Sequence, residues 1–314
     1  MLQLGLIGHP LSHSLSPRLQ NAALRAMEIP GEYMLYPIED LRTNQPELSR
    51  ILEKLRRSEL NGLNITIPYK TAIISFIDQM APTAAAVDAV NTLFNNDGLL
   101  VGDNTDVAGF LMDLGQQASL FFHENLEKPN SRKQAIVLGA GGSARAVCYA
   151  LLKSGWQLTI AARDRRRVQV LTNQLTAAIA NVSSSVLPDR EILKLISVTS
   201  MEMAGLKGVK ASLVVNTTPV GMFPEIDFSP WPENLPLPSG AFIYDLVYNP
   251  PETRLVREAR NLGHPVANGI GMLIEQAALS LEIWSGQSVP RQSMWQAVPD
   301  FNMASRNNII RENR

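Results

Sequence analysis

One cysteine, four histidines and 6% aromatic residues are few for a chain of 314 residues. With Cys148 alone, neither an internal disulfide nor a multi-cysteine zinc site can form, and nothing calls for an oxidising compartment. Cys148 itself reads as a small apolar residue in a helix rather than a reactive thiol. The histidines, at positions 9, 13, 123 and 264, lack the spacing of metal ligands, which argues against a metal-dependent hydrolase. His9 and His13 read as loop or packing residues. Excess charge of one sign is missing too: the formal net charge is -1, so neither nucleic acid nor an anionic membrane is an expected partner. No uncharged apolar run approaches bilayer length, and the start "MLQLGLIGHP" lacks a basic segment, a sustained apolar core and a cleavage site. The expectation is a soluble cytoplasmic protein that binds a small molecule. A homodimer is compatible with the sequence, which does not fix the number of subunits.

What is present is a 45% hydrophobic chain long enough for two domains, each with its own core. "LQLGLIG" reads as a strand, and a helix follows from "LSPRLQNAALRAMEI", with Ser16 placed to cap it and Pro17 in its first turn. A strand over 32–38, a helix over 46–60 and a strand over 62–68 continue an alternating α/β pattern. After a helix from 81, "AVNTLFN" and "GLLVGDN" form a hairpin across "NNDG" that ends the first domain, and a helix from about Asp106 bridges to the second. The pattern weakens over 113–134, where the passage between domains is expected. Downstream, "ASLVVNTTP" and "AFIYDLVYNP" are strands, a polar stretch over 180–190 is a variable loop, Gly271 opens an apolar helix carrying Gln276, and the tail from 302 is frayed. The expected division is 1–110, 111–265 and 266–314, the last segment returning to the first domain.

The clearest unit spans 134–163: a buried strand, the turn "GAGGSA", a helix and a second strand. Backbone N–H groups at such a helix start can hold a pyrophosphate, and the third glycine of the usual fingerprint is here Ala144. An acid at the end of the second strand would suit ribose hydroxyls, but "AARDRRR" offers Arg163, Arg165, Arg166 and Arg167, which suit a 2′-phosphate. NADP is therefore the expected dinucleotide, although Asp164 would repel that phosphate.

In the first half, "SHSLS", "NITIPYK", "AVNT" and "GDNTDVAG" each place polar side chains at a predicted strand end. Ligands of open α/β sheets bind at that edge, so the four loops can converge on one hydroxyl-rich substrate. In "NITIPYK" the alternation reads as a half-buried strand that Pro68 ends, leaving Lys70 just beyond it.

Together these motifs resemble the shikimate dehydrogenase family along nearly the whole chain, from "GHPLSHSLSP" through "NITIPYK", "AVNT", "GDNTD", "GAGGSAR", "NTTPVGM" and "YDLVYNP" to "NGIGMLIEQA". The resemblance implies an α/β substrate domain, a Rossmann-type doubly wound nucleotide domain, and NADPH-dependent reduction of 3-dehydroshikimate to shikimate in the cleft between them. It implies Ser14, Ser16 and Tyr248 on the substrate carboxylate, Thr66, Lys70, Asn91, Asp106 and Gln276 at the ring hydroxyls, and Lys70 with Asp106 as the catalytic pair. Gly139, Ala140, Gly141, Gly142, Ser143, Ala144, Arg163, Arg167, Leu246 and Gly269 match the cofactor site. Two departures stand out: Gln20 where the family usually has histidine, and "ARD" at 162–164 where it usually has "NRT". The rival readings are a quinate or dual-specificity dehydrogenase, against which the paired serines count, and a non-catalytic dinucleotide sensor, against which the intact Lys70 and Asp106 count.

Overall fold

A computed structural model of the chain describes residues 1–125, 133–182 and 194–299. Its first sheet takes six strands: β1 (Leu2–Gly8), β2 (Gly31–Pro37), β3 (Gly62–Ile65), β4 (Gln79–Met80), β5 (Thr92–Asn96) and β6 (Leu99–Asp103). They lie in the order β2-β1-β3-β5-β6-β4, with β1 parallel to both neighbours and β5 antiparallel to β3 and β6. The β5–β6 hairpin closes through Asp97 and Gly98, both at positive φ (50° and 86°), the conformation that a two-residue type I′ turn requires. Helices α1 (Ser16–Ala26), α2 (Gln45–Arg56) and α3 (Pro82–Val87) connect the strands.

The second sheet is wholly parallel: β7 (Gln134–Leu138), β8 (Gln157–Ala161), β9 (Ile196–Thr199), β10 (Leu213–Asn216), β11 (Phe242–Asp245) and β12 (Val266–Asn268). Their order, β12-β11-β10-β7-β8-β9, is the doubly wound arrangement in which the first strand lies at the switch point. The near-continuous apolar runs of β7 and β10 follow from burial on both faces. Helices α5 (Gly142–Lys153), α6 (Arg165–Val182), α7 (Met203–Leu206) and α8 (Arg254–Asn261) belong to this sheet. Cys148 lies within α5, fully buried, as a packing residue.

Two long helices tie the sheets together. After β6 the chain enters α4 (Asp106–Asn125), and after β12 it enters α9 (Ile270–Ser285), which is followed by α10 (Arg291–Gln296). α9 buries Ile274, Ala277 and Leu281 among Leu4, Leu19 and Ala23 of the first layer. Burying Ile274 and Leu281 contributes roughly 3–6 kcal/mol. α4 crosses α9 at Gly109, where a Cβ would come within 2.8 Å of the Gln276 nitrogen. Further along the crossing, Asp113 accepts a hydrogen bond from the Tyr244 hydroxyl of the second sheet.

Several expectations need correction. Ser16 is the first residue of α1 and does not cap it; Ser14 Oγ accepts the Ser16 N–H at 3.3 Å instead. β3 stops at Ile65 and is buried on both faces, because Asn64 is covered and hydrogen-bonded rather than turned to water. Residues 113–125 continue α4 where a passage between domains was expected, and 126–132 lie outside the described residues. α6 runs to Val182, and most of the 180–190 loop, like the tail from 302, also lies outside them. The short strands β4, β9 and β12 and the helix α10 carry too little periodicity to be read in advance. No described helix is long and apolar enough to cross a membrane.

The crossing makes one position strict. A Cβ on Gly271 would lie 2.0 Å from Asp113 Oδ1, and that carboxylate is already engaged by Tyr244. Gly271→Ala is expected to lower unfolding free energy by about 1–3 kcal/mol, the usual cost of overpacking, measured by urea denaturation. A variant as stable as the parent would show that the helices slide apart without cost.

Candidate active site

The site begins where the strands of the first sheet end. Beyond β3, the Thr66 N–H continues pairing to the Ile7 carbonyl at 2.9 Å, and the Tyr69 N–H turns back to the Thr66 carbonyl at 2.9 Å. The Val90 N–H then donates to the Lys70 carbonyl at 2.7 Å, which ties the Lys70 backbone to the segment entering β5. Its side chain is 13% exposed and reaches the Asp106 carboxylate, which is 3% exposed, with Nζ to Oδ2 at 2.5 Å. Asp106 opens α4, where Asn104 Oδ1 accepts its N–H at 3.1 Å. A charge so buried persists only when paired, and removing one partner typically costs about 3–5 kcal/mol.

The second Asp106 oxygen accepts from Asn91 Nδ2 at 2.9 Å. Asn91 also donates to Gln276 Oε1 at 3.3 Å, and its side-chain Oδ1 accepts the Thr105 N–H at 2.8 Å. Behind it, Ser280 of α9 bonds to Thr92 at 2.8 Å and to Asn64 at 3.0 Å, and Asn64 accepts the Tyr33 hydroxyl at 2.8 Å. Buried polar groups are tolerated when all are satisfied, and a satisfied network holds its members in one arrangement. Tyr33, Asn64, Thr105 and Ser280 were not anticipated. The one available signal was spacing: Ser280 lies one helical turn beyond Gln276, and Thr105 adjoins Asp106.

The loop after β1 supplies Ser14, the start of α1 supplies Ser16, and the loop after β11 supplies Tyr248. Burial pushes the Tyr248 phenol up, opposed by the Leu15 N–H and the Ser14 hydroxyl at its oxygen. Asp245 anchors that loop, accepting from Asn216 Nδ2 at 2.8 Å, the Val247 N–H at 3.0 Å and Thr253 Oγ1 at 2.7 Å. At the mouth His13 meets Phe223 edge to face, with ring centroids 4.6 Å apart, a packing role like that expected for it.

The glycine turn closes the far side. Gly139 has φ of 113° and its N–H donates to the Ala161 carbonyl at 2.8 Å, while a Cβ there would lie 2.6 Å from Thr217 Oγ1. Gly141 precedes the twelve-residue α5 without a side-chain cap, and the first-turn N–H groups of a helix have no intrahelical partner. Ala144, in the third glycine position, is fully buried against the core. A Cβ on Gly142 would come within 3.0 Å of Lys70 Cβ, so the turn and the lysine touch. At Gly269 a Cβ would lie 1.9 Å from the Leu246 carbonyl oxygen, which only glycine permits. These features fit a dinucleotide pyrophosphate.

All eight residues expected around the substrate line one cleft: Ser14, Ser16, Tyr248, Thr66, Lys70, Asn91, Asp106 and Gln276. Ser143, Leu246 and Gly269 line it as well. Gly139, Ala140, Gly141, Gly142 and Ala144 form the adjoining turn, and Arg163 and Arg167 stand exposed beyond the end of β8. Asp164 does not face away from its own helix: its Oδ1 accepts the Arg166 and Arg167 N–H groups at 2.9 and 3.3 Å. That caps α6 and softens the objection that Asp164 would repel a phosphate. Gln20 is buried away from the cleft, donating to the Ala277 carbonyl at 2.9 Å. Among the described residues no cluster of histidine, cysteine, aspartate or glutamate could hold a metal ion.

Burial raises the Asp245 carboxyl to about 6, against the opposing effect of its three donors. The folded state thus binds this proton more tightly than the unfolded chain. Stability from this group is greatest below the ordinary carboxylate range and falls as pH rises from about 4 to about 6, by about 3 kcal/mol. Asp245→Asn should abolish that component: the difference between the two unfolding curves should shift in favour of the variant from pH 4 to 7. Parallel pH profiles would show that Asp245 ionises normally.

Comparison with known proteins bears on the same cleft. A model of the shikimate dehydrogenase substrate binding domain matches residues 6–93, and one of the shikimate 5'-dehydrogenase C-terminal domain matches 269–298. A shikimate dehydrogenase (NADP(+)) of Symbiobacterium thermophilum is 39% identical over 91% of this chain and 90% of its own. The Thermus thermophilus shikimate 5-dehydrogenase solved with NADP(H) and shikimate is 32% identical, with a TM-score of 0.75 over 95% of this chain and 98% of that one. A quinate dehydrogenase of Corynebacterium glutamicum solved with NAD is 29% identical, with a TM-score of 0.77 over 94% and 98%. On the match along nearly its whole length, together with the cleft described above, the chain belongs to the shikimate dehydrogenase family.

Proposed function

We propose that the chain catalyses the reversible NADPH-dependent reduction of 3-dehydroshikimate to shikimate. The observation that carries this reading is the contact of Lys70 with Gly142, which sets a buried lysine–aspartate pair against the glycine turn. A dinucleotide sensor has no use for a buried ammonium there, whereas reducing a ketone needs a proton delivered where charge develops. The similarity to enzymes named for shikimate and NADP(+) supports that substrate over quinate. The paired Ser14 and Ser16 hydroxyls count the same way.

Bound NADPH supplies a hydride. Gly139 to Ala144 would hold its pyrophosphate, Arg163 and Arg167 its 2′-phosphate, with Leu246 and Gly269 along the cleft wall. Ser14, Ser16 and Tyr248 bind the substrate carboxylate through hydroxyl donors, which suit an anion without burying an ion pair. Thr66, Asn91 and Gln276 hold the ring hydroxyls. Lys70 Nζ gives its proton to the oxygen that gains charge, and takes it back when the alcohol is oxidised. Asp106 holds Nζ in place and compensates its charge. We assign the substrate domain to 1–110, the nucleotide domain to 111–265 and the returning segment to 266–314, a division supported by the packing of α9 on the first layer.

Lys70→Ala is expected to lower kcat about a hundredfold or more while KM for 3-dehydroshikimate stays within several-fold, since general acid–base help is worth about 10²–10⁴. Near-normal turnover in steady-state assays would remove Lys70 from the mechanism. Arg163→Ala should raise KM for NADPH about tenfold or more and leave KM for NADH nearly unchanged, because a charged hydrogen bond is lost only with the phosphate. Equal changes for both cofactors would show that Arg163 does not read the 2′-phosphate.

A further inference from the structure

Asp88 stands where a glycine would be expected. It ends α3 in the left-handed conformation, with φ 48° and ψ 45°, which aspartate tolerates at a cost and glycine adopts freely. Its carboxylate reaches out of the first layer to the nucleotide-side helices. Oδ2 accepts from Arg145 Nη1 of α5 at 3.2 Å and from Gln174 Nε2 of α6 at 2.6 Å, and Arg145 also donates to Gln174 Oε1. The Arg145 side chain is only 11% exposed and the Asp88 side chain 37%, so the guanidinium is the more deeply held partner.

What lies on either side of this triad gives it meaning. Within three residues of Asp88, the Val90 N–H holds the Lys70 carbonyl at 2.7 Å, and Asn91 holds Asp106 Oδ1 at 2.9 Å. Three residues before Arg145 is Gly142, where a Cβ would come within 3.0 Å of Lys70 Cβ, and two before it is Ser143, which lines the cleft. The triad and the Lys70–Gly142 contact are therefore two fixed points between the same two segments. Two points of attachment on one rigid helix set an orientation as well as a distance.

We propose that Asp88, Arg145 and Gln174 form a clamp that orients the glycine turn against the Lys70–Asp106 pair, making Asp88 and Arg145 positioning residues for hydride transfer. The catalytic part rests on the proposed dehydrogenase reaction; the mechanical part does not. Asp88→Asn keeps the left-handed backbone and removes the charge, and Asp88→Gly keeps the backbone and removes the side chain. Asp88→Gly combined with Arg145→Met avoids stranding a buried cation if the single variant folds poorly. Because Cys148 is buried, nitroxide labels at Glu59→Cys and Lys207→Cys, exposed sites on the two layers, report their separation directly.

The distance distribution between the labels should broaden in each variant relative to the parent. kcat should fall about tenfold and the primary isotope effect from deuterated NADPH should rise, since misplacement slows the chemical step. Shikimate affinity without cofactor, measured by calorimetry, should stay within about twofold. An unchanged distance distribution overturns the clamp, whatever the activity. A broadened distribution with unchanged kcat and isotope effect in an active parent overturns the positioning role. No turnover in the parent would refute the proposed reaction, and with it the catalytic role, while the distances still decide the clamp.

Discussion

Asp106 holds a carboxylate that water scarcely reaches, and its two oxygens are divided between Lys70 and Asn91. A buried anion needs a cation and further donors, and here the cation comes from the loop after β3 and the amide from the segment entering β5. Satisfying one charge thus recruits neighbouring strands of the sheet. Asn91 in turn must be satisfied, which draws in Thr105 and Gln276 and, through Thr92, Ser280 on a helix that arrives more than 160 residues later along the chain. The return of α9 to the first layer is as much a demand of this polar network as of the apolar contacts beneath it.

Glycines do the complementary work on the other side of the cleft. Gly139 and Gly269 let the loops of the second sheet close on Thr217 and Leu246, and at Gly142 the missing Cβ lets the turn approach Lys70 of the first layer. The doubly wound order puts the turn after β7 at the switch point, and the mixed first sheet presents its own strand ends toward it. Neither layer alone would enclose a ligand.

Much of this was legible from residues whose chemistry permits few readings. The turn at 139–144 needed glycine for its backbone, the Asp97–Gly98 hairpin needed positive φ, and polar loops recurring at strand ends marked an edge where ligands bind. Residues that act only through partners distant in sequence were not legible. Ser280 looks like any small residue in an apolar helix until β5 is packed beside it. Tyr33 looks like a strand aromatic until Asn64 meets its hydroxyl. Asn64 also misled: alternation with Ile65 suggested a wet face, but its amide is buried by the hydrogen bonds it makes. At the start of α1 a serine–proline pair suggested the wrong serine as cap, since a side chain two residues earlier takes the free N–H.

Cys148 sits in the middle of α5, sealed from solvent, and burial pushes its thiol well above the ordinary range. A thiol that is neither exposed nor ionised is invisible to alkylating reagents and oxidants while the helix stays packed. Its labelling rate is therefore a clock for the opening of the helix that carries the glycine turn, wound by the protein's own composition and free of any second sulfhydryl to blur the reading.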